Sequence, residues 1–434
     1  MMTHFQNCRL PSGRPLFTLG STLALSLTAL VSLSNAATIK PPTRVIVQDN
    51  PKAVLDEAWQ IVNQVYVDPK FNNVNWLQVR QQLLSQNYTS RESAYAALKA
   101  ALKKLNDPYT RFFDPNEFKV LSSQDINGEL TGVGLQLELD STAKVLQVNK
   151  VLRGSPAQQA GIKAGDQILQ IDGQSTAGMS VETAASLIRG KENTIVNLVI
   201  RRPQRSAITI ALTRQRIEVP VVDSALRQSG SERIGYIRLS DFSGHSAEQM
   251  RGAIAELLEQ KVDRFVLDLR GNPGGRLDQE LAIARMWLNQ GALVHIVVRD
   301  GESLTVRANG TALTDLPLTV LVDGGSASAS EVLAGALKDN RRATVVGSQT
   351  YGKALVQVVN PLSDGSGLNV TIARYLTPSG LDINQRGITP DVVVNLTPQQ
   401  RQDLLKNPDK IGTSADPQYQ RALATTVIEQ NGQG

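Results

Sequence analysis

The hydrophobic period changes twice along this chain, and that change constrains the fold more than any other feature. Between Pro51 and Leu105, apolar residues recur at helical spacing: Val54, Ala58, Ile61, Val62 and Val65, then Trp76, Val79 and Leu83, then Ala94, Leu98, Ala101 and Leu105. Ser90 is placed to cap the third segment, and Asn106-Asp107-Pro108 to stop it. From about Gly128 the period falls to two. Val133, Leu135, Leu137 and Leu139 alternate with Gly134, Gln136, Glu138 and Asp140, as a half-buried strand requires. Further short strands at 145–148, 167–171 and 194–201, with helices at 157–160 and 181–188, predict a compact β-rich module. From about Arg233 the pattern alternates between strand and helix. Strands are expected at 234–239, 264–269, 318–322, 343–346 and 356–359, and helices at 247–260, at 277–287 and through Leu337. Alternation of this kind predicts an α/β domain. The expected class is α+β multidomain: a helical region over 37–121, the β-rich module over 122–205, an α/β core over 206–396 and an extension with a frayed end over 397–434.

Residues 1–15 carry Arg9 and Arg14 and no acid, residues 16–33 are nearly uncharged and mostly apolar, and Ser34-Asn35-Ala36 supplies small residues. That is the grammar of a secretory signal peptide over 1–36, with an uncleaved anchor as the alternative. No later stretch is apolar enough to span a bilayer, so no stable membrane span is expected after signal removal. Removal would also take Cys8, the sole cysteine, and one of three histidines. A disulfide framework and a cysteine-based zinc site are thereby excluded, and no cofactor is expected. The balance of 45 basic to 40 acidic residues, with no basic run longer than a pair, is a poor footprint for nucleic acid.

The densest chemical signal is Asp323-Gly324-Gly325-Ser326-Ala327-Ser328-Ala329-Ser330-Glu331, lying between an apolar strand and a helix. A serine there stands on a sharp turn, with backbone N–H groups and the positive end of the helix facing whatever its hydroxyl attacks. The same serine also reads as an ordinary helix N-cap, and the turn alone does not decide. A nucleophilic serine needs a base. His295 sits in an apolar run and His245 in a loop, neither with an acid partner in sequence. Lys353, at the glycine-flanked bend Thr350-Tyr351-Gly352-Lys353, serves only if burial holds it neutral.

Several motifs then occur in one order. The serine segment continues into Lys338-Asp339 and Thr350-Tyr351-Gly352-Lys353-Ala354-Leu355-Val356-Gln357. Leu269-Arg270-Gly271-Asn272-Pro273-Gly274-Gly275 precedes it, and Asn106-Asp107-Pro108-Tyr109-Thr110-Arg111-Phe112 comes earlier still. Together, over about residues 50–395, they resemble the carboxyl-terminal processing (tail-specific) serine peptidases. The resemblance implies a protease core of the ClpP/crotonase-like type. It implies Ser328 as nucleophile, Lys353 as general base, Gln357 as the residue positioning the lysine amine and Asp339 in a supporting role. Ala329 and Gly274 or Gly275 are the implied oxyanion donors. Gln357, four residues from Lys353 along a strand, would face the same side. Asp339, eleven residues beyond Ser328, would lie about 16 Å away along a straight helix.

In the β-rich module, Thr131-Gly132-Val133-Gly134-Leu135 and the later Gly161-Ile162-Lys163-Ala164-Gly165-Asp166 resemble a PDZ domain. Gly132, Val133, Gly134 and Leu135 would then bind a terminal carboxylate. The strand at 135–139 would take a peptide as an added strand, opposite Val181, Ala184, Ala185 and Ile188. As a dinucleotide fingerprint, Gly132 and Gly134 lack the third glycine and precede a strand. The expected protein is an exported endopeptidase of the periplasm, or of the thylakoid lumen in a cyanobacterium, acting on substrates with free C-termini. The rivals are a catalytically silent PDZ adaptor and an anchored structural protein. The substrate's identity, the oligomeric state, and whether the PDZ domain blocks or opens the site stay open.

Overall fold

The computed structural model describes residues 50–123, 129–140, 145–152, 154–202 and 204–425. The expected signal segment, 1–36, lies outside them. Three helices, Pro51–Val65, Trp76–Ser85 and Arg91–Lys103, follow the predicted apolar spacing. Ser90 caps the third through the Ser93 N–H, and Ser93 returns the bond. Leu55, Ala58, Val62 and Leu98 are buried, but this region does not close a core by itself. Its cluster is completed by Leu362, Leu368 and Val370 from a hairpin near the other end of the chain. The strand Arg111–Phe113 pairs with Asn369, Leu368 and Gly367 of that hairpin. The NDPYTRF segment is thereby stitched onto the C-terminal half of the molecule.

The expected strands and helices of the β-rich module form, with edge corrections of one to three residues, and its sheet gains a strand, Ile208–Thr213, beyond the expected boundary at 205. Its strands Leu135–Leu139, Leu146–Val151, Gln167–Ile171, Ile195–Arg201 and Ile208–Thr213 form one sheet, in that spatial order, with Gln174–Ser175 appended. Leu135–Leu139 is a terminal strand of the sheet, and one of its sides has no strand partner among the described residues. Helix Val181–Ile188 is capped by Ser180 and packs Ala184 and Ile188 into the module's core.

The core is built on a six-stranded sheet. Strands Glu232–Leu239, Arg264–Asp268, Leu318–Val322, Ala343–Gly347 and Val392–Val393 run parallel, with Val222–Ser229 antiparallel at one edge. All five residues of Arg264–Asp268, of Leu318–Val322 and of Ala343–Gly347 are buried, as strands covered on both faces require. Helices Ser246–Glu259, Leu277–Trp287 and Ala329–Asp339 cover it and contribute Met250, Ile254, Leu281, Leu333 and Leu337 to one continuous core. A second sheet contains Ala292–Val298, Ser303–Arg307, Leu355–Pro361 and Gly367–Leu376.

The C-terminal extension is more ordered than its composition suggests. Helices Pro398–Lys406 and Pro417–Ala424 form, and Tyr419 and Ala422 pack on Ile234, Val266 and Leu321. The Arg270 guanidinium bonds both oxygens of Asp268 (2.9 and 2.5 Å), both of Asp416 (3.1 and 2.7 Å) and Gln418 Oε1 (3.0 Å). Burial alone would push the Asp268 carboxyl up. The Arg270 charge and the hydrogen bonds from Arg270 and the Tyr236 hydroxyl hold it below the ordinary carboxylate range. Asp416→Ala removes one partner from this buried cluster and should cost about 3–5 kcal/mol of stability. Chemical denaturation of wild type and variant measures this. A loss below about 1 kcal/mol would show that the cluster contributes no more than a surface pair.

Candidate active site

Of the three clustered serines, two are pinned by hydrogen bonds to the segment that follows strand Arg264–Asp268. Ser326 Oγ donates to Leu269 O (2.8 Å) and accepts from the Asp323 N–H (3.0 Å), and Ser330 Oγ donates to Asn272 O (2.9 Å). Both residues are fully buried. Ser328 between them is part-exposed and has φ +55°, a left-handed conformation that costs a non-glycine residue about 1–3 kcal/mol. It directly precedes helix Ala329–Asp339. Strain held at one serine by two buried neighbours is the geometry of a nucleophile elbow, although Gly-x-Ser-x-Gly is absent.

Sequence reasoning missed the residue that assembles this site. Glu331 is fully buried at the third position of the helix. Its Oε2 accepts from the backbone N–H groups of Ser328 (2.9 Å) and Lys353 (2.8 Å). Its Oε1 accepts from Thr350 Oγ1 (2.5 Å) and the Gly352 N–H (2.7 Å). One carboxylate therefore joins the serine turn to the bend that carries the lysine, two segments separated by helix Ala329–Asp339 and strand Ala343–Gly347. The signal was the Ser-x-x-Glu spacing of a capping box, which ordinarily means only a helix start.

The Lys353 side chain is half-buried. Burial first, and then the nearby Arg111 charge, push its ammonium below the ordinary lysine range. Its Nζ lies over the Tyr109 ring, 5.0 Å from the centroid. Among the described residues no hydrogen bond joins Nζ to Ser328 Oγ; the two residues are joined through their backbones, by Glu331. Tyr109 and Arg111 come from the motif that ends the helical region, to which no role at the site was assigned. Pairing of Arg111–Phe113 with the C-terminal hairpin is what delivers them.

The other expected residues divide. Gly274 must be glycine, since a Cβ there would stand 2.8 Å from both Ala327 O and Ser328 Cβ. Its N–H, however, is spent on Asn272 Oδ1 (2.9 Å). The Gly275 N–H has no acceptor among the described residues, and the Ala329 N–H starts the helix with no helical acceptor. These two are the available pair. Lys353 lies just before the strand, which begins at Leu355, and among the described residues no hydrogen bond joins the Gln357 side chain to Lys353 Nζ. Gln357 Nε2 donates instead to Thr371 Oγ1 (3.3 Å). Asp339 ends the helix and accepts from the Ser379 N–H (2.9 Å), away from Ser328. His295 is held by Thr305 Oγ1 (2.8 Å) and Pro378 O (3.1 Å). No group of three or more His, Cys, Asp or Glu residues placed to hold a metal occurs among the described residues.

A second concavity lies on the β-rich module. Gly132, Val133, Gly134, Leu135 and Leu137 face Ala185, Ile188 and Arg189 across a narrow groove of about 80 Å³. Ala184, expected on this wall, is turned into the core, as the helical repeat beside Ala185 requires. Ile217 and Val219 also line the groove; these were not anticipated. Gly134 has φ +80°, and a Cβ there would collide with Ser155 Cβ at 2.1 Å, so only glycine allows this turn.

Comparison with known proteins agrees with this division of labour. The profile of peptidase family S41 matches residues 233–394, and that of a PDZ domain matches residues 147–202. A carboxyl-terminal-processing protease of Picosynechococcus is 43% identical, over 90% of this chain and 92% of its own length. The chloroplastic carboxyl-terminal-processing peptidase 2 of Arabidopsis thaliana is 40% identical over 85% of this chain and 73% of its own. Among solved structures, a photosystem II D1 C-terminal processing protease superposes with a TM-score of 0.56 at 36% identity, covering 86% of this chain and all of that one. With a strained serine at a helix start and this extent of likeness, the chain belongs to peptidase family S41, as a serine-type carboxyl-terminal-processing protease with a PDZ domain.

Proposed function

We propose that this protein is an exported endopeptidase that captures the free C-terminus of a protein in its PDZ groove and cleaves the chain near that tail with a Ser328/Lys353 mechanism. The observation that carries the proposal is the single Glu331 oxygen that holds the backbones of both residues. Neutral Lys353 swings from the Tyr109 ring to take the Ser328 proton as Oγ attacks the scissile carbonyl. The Ala329 and Gly275 N–H groups stabilise the tetrahedral oxyanion. Lys353 then returns the proton to the leaving amine, an acyl-enzyme remains, and water releases it. The side of strand Leu135–Leu139 that has no strand partner among the described residues, and the glycine turn before it, support capture of an extended tail. The chloroplastic relatives and the apolar run at 16–33 support export to a lumen or periplasm.

Mass spectrometry of one peptide offered as free acid and as C-terminal amide tests the reading. The acid should be cut, and the amide should show a KM raised about tenfold through loss of the charged terminus. A peptide bound but returned intact would favour the adaptor.

The base makes a pH prediction of definite sign. A lysine base is active when neutral, so activity rises with pH through its pKa. Arg111 depresses that pKa, so Arg111→Gln should move the rising limb to higher pH. Rate profiles of wild type and variant check this; a limb that stays put or moves down removes Lys353 from the role.

A further inference from the structure

Beside the site lies a cleft of about 660 Å³, walled on one side by the helical region and on the other by the bend that carries Lys353. Gly352 and Leu355, which flank the lysine, line it, as does Tyr109 beneath the ammonium. Its remaining wall holds the carboxylates of Asp68 and Asp107 and is rich in carboxamides: Asn72, whose amide donates to Leu105 O, and four more, Asn73, Asn106, Asn384 and Gln385. None of these four side chains has a hydrogen-bond partner among the described residues. Each offers one acceptor and a two-proton donor, the complement of a peptide unit. Three of the four also sit in left-handed backbone: Asn73 at φ +65°, Asn106 at +50° and Gln385 at +58°. Asparagine tolerates this conformation, whereas glutamine gains nothing from it, and strain of this kind concentrates where a ligand is clamped.

The reaction chemistry selects the occupant. The group that returns a proton to the leaving amine must stand on the leaving side of the scissile bond. The chain beyond that amine therefore departs on the lysine's side of the serine, and this cleft borders Gly352 and Leu355 on either side of that lysine. We infer that the cleft is a subsite for the first residues of the departing tail, held as extended main chain by the carboxamides of Asn73, Asn384 and Gln385. It is a polar, sequence-tolerant grip, distinct from the PDZ groove that reads the end of the same tail. The inference rests on the Ser328/Lys353 reading.

Two substrates with identical residues before the cut separate the possibilities. One continues as a peptide; the other ends at the scissile position in an aromatic anilide and has no departing chain. In the double variant Asn73→Gly, Gln385→Gly, glycine keeps the left-handed backbone available while removing both carboxamides. The ratio of kcat/KM for the peptide to that for the anilide should fall about tenfold relative to wild type, as expected for the loss of two hydrogen bonds. Adding Asn384→Ala should lower it further. A generally damaged fold lowers both rates and leaves the ratio in place. An unchanged ratio overturns the subsite. Wild-type protein that cuts neither substrate overturns instead the catalytic reading beneath it.

Discussion

Ser328→Ala should abolish peptide cleavage, a fall of about 10⁴-fold or more in kcat, while the PDZ groove still binds a C-terminal peptide. The neighbouring serines sharpen this expectation, because all three hydroxyls lie in one Ser-Ala-Ser-Ala-Ser run. Ser326 and Ser330 spend their hydroxyls on Leu269 O and Asn272 O, and both are sealed from solvent. Their alanine variants should lose stability, about 1–3 kcal/mol for a buried acceptor left unpaired, yet retain chemistry at permissive temperature. Ser328 alone combines partial exposure with strained backbone. Active-site titration with a serine-directed phosphonate, followed by mapping of the modified peptide, measures which hydroxyl reacts. Labelling at Ser326 or Ser330, or turnover by Ser328→Ala, would overturn the assignment.

Much of this architecture was legible from hydrophobic period alone. Helices Val181–Ile188 and Leu277–Trp287 and strand Leu318–Val322 fall on the predicted residues, because the apolar pattern runs unbroken through each. What period cannot show is which distant segments meet. Arg111–Phe113 is only three residues long, yet its pairing with Gly367–Leu376 brings Tyr109 and Arg111 beside Lys353. The tail was illegible for a related reason. Asp416 and Gln418 look like solvated residues in a polar stretch, and only the buried Arg270 gives them a reason to be inside. For Gln357, alternation along a strand shows which side a residue faces but not which neighbour its amide meets, and here that neighbour is Thr371. Of the two glycines named as oxyanion donors, Gly274 is packed against the serine turn and its N–H is taken by Asn272, which only the folded structure shows.

Glu331 gives the second large effect and the most informative one, because it tests the joint between nucleophile and base rather than either alone. Four donors converge on one buried carboxylate: the Ser328, Gly352 and Lys353 N–H groups and the Thr350 hydroxyl. Glu331→Ala leaves these groups unpaired inside the protein at about 1–3 kcal/mol each, a sum large enough to threaten the fold. Glu331→Gln is the cleaner probe. Its carbonyl can still take the Ser328 and Lys353 N–H groups, and the Thr350 oxygen can accept from its amide. The Gly352 N–H must then face an NH₂ group, donor against donor. The bend that carries Lys353 should shift by a few tenths of an ångström while the core stays folded. Catalysis is sensitive to displacements of that order, so kcat should fall about 10²-fold with little change in tail binding. Steady-state kinetics beside calorimetric binding of a C-terminal peptide separates the two terms. A rise in KM with kcat intact would place Glu331 in substrate binding instead. Native kinetics in Glu331→Gln would mean that Ser328 and Lys353 hold their places without the shared oxygen, and the observation on which the catalytic reading rests would lose its weight.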